Sequence, residues 1–562
     1  MTTPSPDARY LAAWKPVARR RLRHAVLAGG GGGVMVIAQA WLLASILDEG
    51  LIGKRSLDSL LGLFAGLGVA IVARALAGFV AERSAFDAAM AVVPAVRRAL
   101  LDKLDRVGPV GLAGRASGDI VAALSDGARG LEPFFARYLP AVAQAALLPV
   151  GILVVVAPLD WISGAILLVT APLIPVFMVL IGRGAEARNH RQWQHLQRMS
   201  GQFLDAVQGL LPIKLLGAGP RMVAAVGDAA EHYRRDTMRV LRLAFLSAFA
   251  LEFFATVAIA LVAVLIGFRL MWGQMGYFHG LFILLLAPEF YLPLRAMGAA
   301  YHARMEALGA AQRLAELEAL PEVALPATAP DRPMPTGRGG IALAFDDVSL
   351  LHADGRRALD GVSFGVAAGE TVALVGASGA GKSSLLALAM GFARPTGGAV
   401  RVDGEVPDEA GLVALRQRIA YVPQRPTLFS GTVAENIALG VATPDPGRVA
   451  WAARQAAIAD RIADLPRGFE TPIGDGGHRL SGGEAQRIGL ARAFYRDAAM
   501  VLLDEPTAHL DGDNEAVVQR ALAELGKHRT VLVVAHRLAT VAQADRVVVL
   551  DKGRVVEERS RP

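Results

Sequence analysis

The chain has 562 residues, 53% of them hydrophobic and only 19% charged, a balance that excludes a single ordinary soluble domain and points to membrane spans joined to a further domain. The net charge is +7, and in a membrane protein that excess belongs to loops on the cytoplasmic side rather than to a nucleic-acid surface. There is no cysteine, which excludes disulfides, thiolate nucleophiles and cysteine-held metals.

Residues 1–24 form a polar N-terminal segment with Arg19, Arg20, Arg21 and Arg23 just before an apolar run. That run, Ala25 to Leu47, is long enough to cross a bilayer and longer than a signal h-region, so it reads as an uncleaved first span with its N-terminus inside. Gly29 to Gly33 lie within it and predict either close helix packing or a local break. A second span runs from Leu57 to Val80, and a basic, mostly helical stretch follows from Glu82 to Arg137. The third span, Tyr138 to Ala157, and the fourth, Trp161 to Ile181, are joined by a tight turn at Pro158 to Trp161 that has no basic residue and belongs outside. A second basic stretch covers Arg183 to Arg242. The fifth span, Leu243 to Leu270, and the sixth, Gly280 to Ala300, enclose another loop without a basic residue. Loop charge thus predicts an N-terminal all-α membrane domain of six spans over residues 25–320, with both termini cytoplasmic.

Residues 321–340 are rich in Pro, Ala and Gly and read as a linker. From 341 to 562, β-branched runs alternate with helical ones, the pattern of a soluble α/β domain. Thr371 to Val375 reads as a buried strand and Ser384 to Met390 as a helix. Between them stand Gly376, Ala377, Ser378, Gly379, Ala380, Gly381, Lys382 and Ser383, the pattern G-x-x-x-x-G-K-S in the strand-to-helix context of a P-loop. Such glycines let backbone N–H groups converge on phosphates at a helix N-terminus, with the Lys382 ammonium on the outer phosphates, the Ser383 hydroxyl on Mg²⁺ and Ser384 beside it. A second apolar strand, Met500 to Leu503, ends in Asp504 and Glu505. In such folds this pair suits Mg²⁺ binding through water for Asp504 and general-base polarisation of water for Glu505.

Leu480-Ser-Gly-Gly-Glu-Ala-Gln-Arg487, taken with the P-loop, resembles the signature of the ATP-binding cassette (ABC) proteins. The resemblance implies that Ser481, Gly482, Gly483 and Glu484 serve the nucleotide of a partner cassette. It implies that Gln424 is the Mg²⁺-sensing and catalytic glutamine, that His536 is the switch histidine and that Asp511 belongs to the loop at the dimer interface. It places His352 where the family has a tyrosine that stacks on adenine, and His509 where a small residue is common. One cassette and six spans imply half of a transporter in the type I ABC exporter fold, with ATP and Mg²⁺ as cofactors and a second half as partner.

Three stretches resemble the D subunit of the heterodimeric exporter family of cytochrome bd assembly, the CydD type: Ser200 to Asp205, Gly209 to Lys214 and Ala287 to Arg295. The resemblance implies a CydC-type sister subunit in a bacterial inner membrane. The implied cargo is cysteine or glutathione, with haem as the rival. A homodimeric lipid or drug exporter and a non-pumping ATP-gated membrane regulator are the alternatives. Glu289 lies inside the sixth span, where a carboxylate facing lipid is costly, so a role in an interior cavity is expected rather than structural pairing. Arg295 follows on the same helix as a second pathway candidate. Arg74, late in the second span, is a third, with snorkelling to the inner interface as the plainer reading. His24, His190, His195 and His302 carry no specific signal for haem ligation.

Overall fold

A computed structural model of the chain describes residues 6–174, 176–177, 207, 209–322, 340–352, 355–507, 512–535 and 537–560. They form two compact units, Met1–Leu100 with Ala116–Ala319, and Leu101–Arg115 with Leu320–Pro562.

The first unit is helical. Among the described residues, five helices are long and apolar enough to cross a membrane, and the shorter Trp161–Thr170 opens the predicted fourth span, whose end lies outside them. Two of the long helices run well past their apolar stretches. Leu57–Gly111 has 55 residues, with a kink at Gly108 where the backbone is not helical (φ 69°, ψ 174°), and Gly219–Met271 has 53. The sequence reads the basic stretch from Glu82 as mostly helical, and the helix does carry on from the second span as far as Gly108. Charged pairs one turn apart, such as Arg83 with Asp87 and Glu231 with Arg234 and Arg235, carry the helix on in water.

The glycine run in Pro6–Leu47 stays helical throughout. A Cβ on Gly33 would lie 2.8 Å from Leu148 Cδ1, and one on Gly29 would overlap the Gln144 side chain. The run therefore serves close packing against helix Leu139–Leu159, not a break. The core is built round helix Tyr277–Glu318, with Phe282, Ile283, Leu286, Phe290 and Tyr291 buried. The one polar atom of the Tyr291 side chain is met by Thr170 Oγ1 at 2.6 Å. At the turn after Leu139–Leu159, Asp160 caps the next helix by accepting from Ser163 N and also accepts from Arg269 Nη1 at 2.7 Å. That ion pair is sealed, with only 2% of the Asp160 side chain and 20% of the Arg269 side chain exposed.

The second unit holds the α/β domain. Its strands are β1 (Leu343–Leu351), β2 (Arg357–Val366), β3 (Thr371–Gly376), β4 (Gly397–Val402), β5 (Ile419–Val422), β6 (Gly431–Thr432), β7 (Pro472–Ile473), β8 (Met500–Asp504), β9 (Thr530–Val534), β10 (Arg546–Asp551) and β11 (Arg554–Ser560). The main sheet has the order β11-β10-β3-β9-β8-β5, parallel except for the edge strand β11. Strands β2, β1 and β4 make a smaller antiparallel sheet. Side chains of the central strands alternate between two cores. Ala373, Val501, Leu503, Val531 and Val533 enter one, while Val372, Leu374, Met500, Leu502, Leu532 and Val534 enter the other. Burial on both faces explains why these strands read as continuous apolar runs. Within the same unit, Val110 packs on the second core, and Glu322 accepts from Lys103 Nζ at 2.9 Å and pairs with Arg106 Nε at 3.1 Å.

Candidate functional site

Parallel order brings the predicted chemistry to one edge of the sheet. β3 ends in the glycine loop, and its neighbour β9 is followed by Ala535, whose N–H donates to Leu374 O. β8 follows with Asp504 opposite Val534, and β5 ends beside it with Val422 opposite Leu503. The loop after β3, the carboxylates after β8 and Gln424 after β5 therefore share the C-terminal edge, where open α/β sheets bind ligands.

Gly376 to Ser383 form a turn that only glycine fits at its ends. A Cβ on Gly376 would lie 2.3 Å from Leu550 O, and one on Gly381, at φ 106°, would lie 2.7 Å from Ala358 O. Gly379 is also left-handed, at φ 82°. Helix Lys382–Ala389 starts directly on this turn, and Ser383 and Ser384 lie in its first turn. The buried Lys382 Nζ donates to Gly376 O at 2.7 Å and Ala377 O at 2.9 Å. Burial pushes the Lys382 ammonium down, and the charges of Glu505 and Asp504 offset part of that. A tight glycine cradle, a helix N-terminus and a buried cation met by carbonyl dipoles fit a polyphosphate with its metal ion.

Glu505 sits in the left-handed region at φ 47°, unusual for a residue with a long side chain. Its N–H donates to Val534 O, which pins the turn to β9. Its Oε2 accepts from Gln424 Nε2 at 2.7 Å. Glu505 and Gln424, far apart in sequence, thus meet across the edge. Tyr421, on β5, lies beside Asp504. Burial first, and then the Asp504 charge, push its hydroxyl up to about 12.

Ser481 caps the signature helix Gly482–Arg496 in a reciprocal box. Ser481 N donates to Glu484 Oε2 at 2.7 Å, and Ser481 Oγ accepts from Glu484 N. Gly482 and Gly483 form the first turn. Arg461, from Ala459–Ala463, donates to Glu484 Oε1. Burial alone would raise the Glu484 carboxyl, but hydrogen bonds from Ser481 and Arg461 outweigh it and hold it below its usual value. Farther along this helix, Arg492 donates to Asn436 O, Asn436 Oδ1 and Thr427 O, which fixes the segment that follows Gln424. Arg461, Arg492 and Asn436 carry no motif. Their roles arise from partners more than 20 residues away.

His352 opens the turn from β1 to β2, where its N–H donates to Arg356 O. Asp511, His509 and His536 lie outside the described residues, as do Ser200 to Asp205, His190 and His195.

In the first unit the three pathway candidates are all paired. Arg74 Nη2 donates to Glu289 Oε1 at 3.0 Å and to Oε2 at 3.3 Å, and its Nη1 donates to Gln39 Oε1 at 3.1 Å. Arg74 thus does not snorkel and Glu289 does not stand alone. Each charge is met by the other. Arg295 pairs with Glu252.

A family model described as ABC transporter matches residues 359–508, and one described as ABC transporter transmembrane region matches residues 25–288. The glutathione/L-cysteine transport system ATP-binding/permease protein CydD of Escherichia coli (strain K12) is 34% identical over 98% of this chain and 94% of its own. An ATP-dependent lipid A-core flippase of Chromobacterium violaceum is 31% identical over 98% of this chain and 92% of its own. Among solved structures, a bacterial Atm1-family ABC exporter with ATP bound matches with a TM-score of 0.79 and 27% identity, over 97% of this chain and 96% of that one.

Proposed function

Since the chain belongs to the ABC transporter family as a CydD-like exporter half, with a multi-pass membrane region and an ATPase cassette on one polypeptide, we propose that it exports small thiols, cysteine or glutathione, across a bacterial inner membrane. Its partner in this reading is a CydC-type sister half, and the pair serves cytochrome bd assembly. Both termini are cytoplasmic. The observation that carries the proposal is similarity along nearly the whole chain to a protein named for glutathione and L-cysteine transport.

The cassette residues have distinct tasks. Gly376 to Ser384 and Lys382 bind the phosphates of ATP, and His352 lies against the base. Ser383, Asp504 and Gln424 would hold Mg²⁺, which would screen the charge of the phosphates. Glu505 accepts the proton of the attacking water, and its contact with Gln424 at 2.7 Å links that base to the segment held by Arg492. His536 contacts the terminal phosphate. Ser481, Gly482, Gly483 and Glu484 face the nucleotide of the other half, and Asp511 lies at the junction. Leu101–Arg115, which clusters with the cassette, supports a role for the first cytoplasmic stretch in coupling. Glu289, Arg295 and Arg74 line the cargo pathway.

A second reading, a homodimeric lipid flippase, is favoured by the relative that is 31% identical over 98% of this chain. Haem is the rival cargo of the heterodimer. The ATPase rate of the purified chain, alone and with its sister half, separates the two assemblies. The expected result is turnover only in the pair, and full turnover by this chain alone overturns the heterodimer.

A further inference from the structure

We propose that Arg74 is an exchangeable carboxylate-binding site, closed by Glu289 until the carboxylate of a transported anion takes its place. This rests on the exporter reading and names the chemistry that the pathway recognises. Gln39, Arg74 and Glu289 come from three different helices, Pro6–Leu47, Leu57–Gly111 and Tyr277–Glu318. Arg74 stands about 26 Å along its helix from Leu57, and Glu289 about 18 Å along its own from Tyr277, both within the ~30 Å of a hydrocarbon core.

Two ion pairs of this unit differ in kind. Asp160 with Arg269 is closed off, and Asp160 also accepts from Ser163. In the Arg74 pair, 41% and 24% of the side chains stay exposed. Its hydrogen bonding is also below what a guanidinium offers. One nitrogen, Nη2, straddles both Glu289 oxygens, while Nη1 is spent on a neutral amide. An incoming carboxylate could take both nitrogens in the stronger parallel fork. Glu289 has room to yield, because Pro288 and Pro293 sit inside its helix. Pro288 removes the backbone bond to the carbonyl of Leu284, and Pro293 removes the one to the carbonyl of Glu289 itself. The exposed rim, the unused bonding capacity and the loosened helix together describe a site that exchanges partners, not a strut.

The test uses the full transporter in nanodiscs without ATP and reads the ligand-induced shift in unfolding temperature. The probes are glutathione and its diethyl ester, and haem and its dimethyl ester. The expected result is that an acid shifts the protein, its ester does not, and Arg74→Gln abolishes the shift. Glu289→Gln removes the competing carboxylate and should lower the half-saturating concentration about tenfold, a gain that misfolding cannot imitate. The site falls if acid and ester act alike, if no probe shifts the protein, or if Glu289→Gln leaves affinity unchanged or weaker. A response to haem alone keeps the site and overturns the thiol reading. Equal responses to glutathione and its ester keep the thiol reading and overturn the site.

Discussion

Glu505 combines a strained backbone, a carboxylate and a glutamine 81 residues away, and this combination supports the proposal that it is the reacting base. Glu505→Gln keeps the shape and can still accept from Gln424. ATP binding should survive while turnover falls by about 10²–10⁴-fold, the usual weight of a general base. Normal turnover in that variant, measured by phosphate release, would show that the base is elsewhere. Glu484 gives a second test at this scale. Its folded pKa lies below its unfolded value, so its contribution to stability is fully present above the unfolded value and is lost as pH falls through the folded one. Unfolding followed from pH 6 down to 3.5 should therefore steepen in the parent protein relative to Glu484→Gln, and parallel curves would deny the ion pair with Arg461 its role. Glycines, Lys382 and the Asp504–Glu505 pair were legible in sequence because a P-loop and a strand end are local patterns. Arg74 with Glu289 was not, because the partners are 215 residues apart and no periodicity links them.

Helices and strands were legible where hydrophobic pattern alone decides them. The apolar runs of β3, β8 and β9 became central parallel strands, as burial on both faces requires. Helix continuation past the second span was legible, but its exact end was not. Leu57–Gly111 continues past its apolar stretch because charged pairs sustain a helix in water as packing does in lipid. The glycine run posed an either-or that only neighbours could resolve. Gly33→Val must push into Leu148, whereas Gly31 has no such atom within 4 Å. Gly33→Val should cost about 1–3 kcal/mol and Gly31→Val much less, read as unfolding temperatures in detergent. Equal losses would mean that the run matters for helix propensity, not for packing.

For the whole molecule, the alternation of loop charge revealed a membrane domain before any fold was in view, and the order of cassette motifs revealed the engine. Cargo was not legible, since recognition depends on side chains that several helices bring together, and a single guanidinium suits a peptide carboxylate as well as a propionate. Residues 323–339 of the linker, Asp511 and His536 fall outside the described residues. The decisive measurement is uptake of labelled glutathione and cysteine by inverted membrane vesicles that carry this chain with its sister half. ATP-dependent accumulation, abolished by Glu505→Gln in this chain, is the expected result. Vesicles that hydrolyse ATP yet accumulate neither thiol would contradict thiol export.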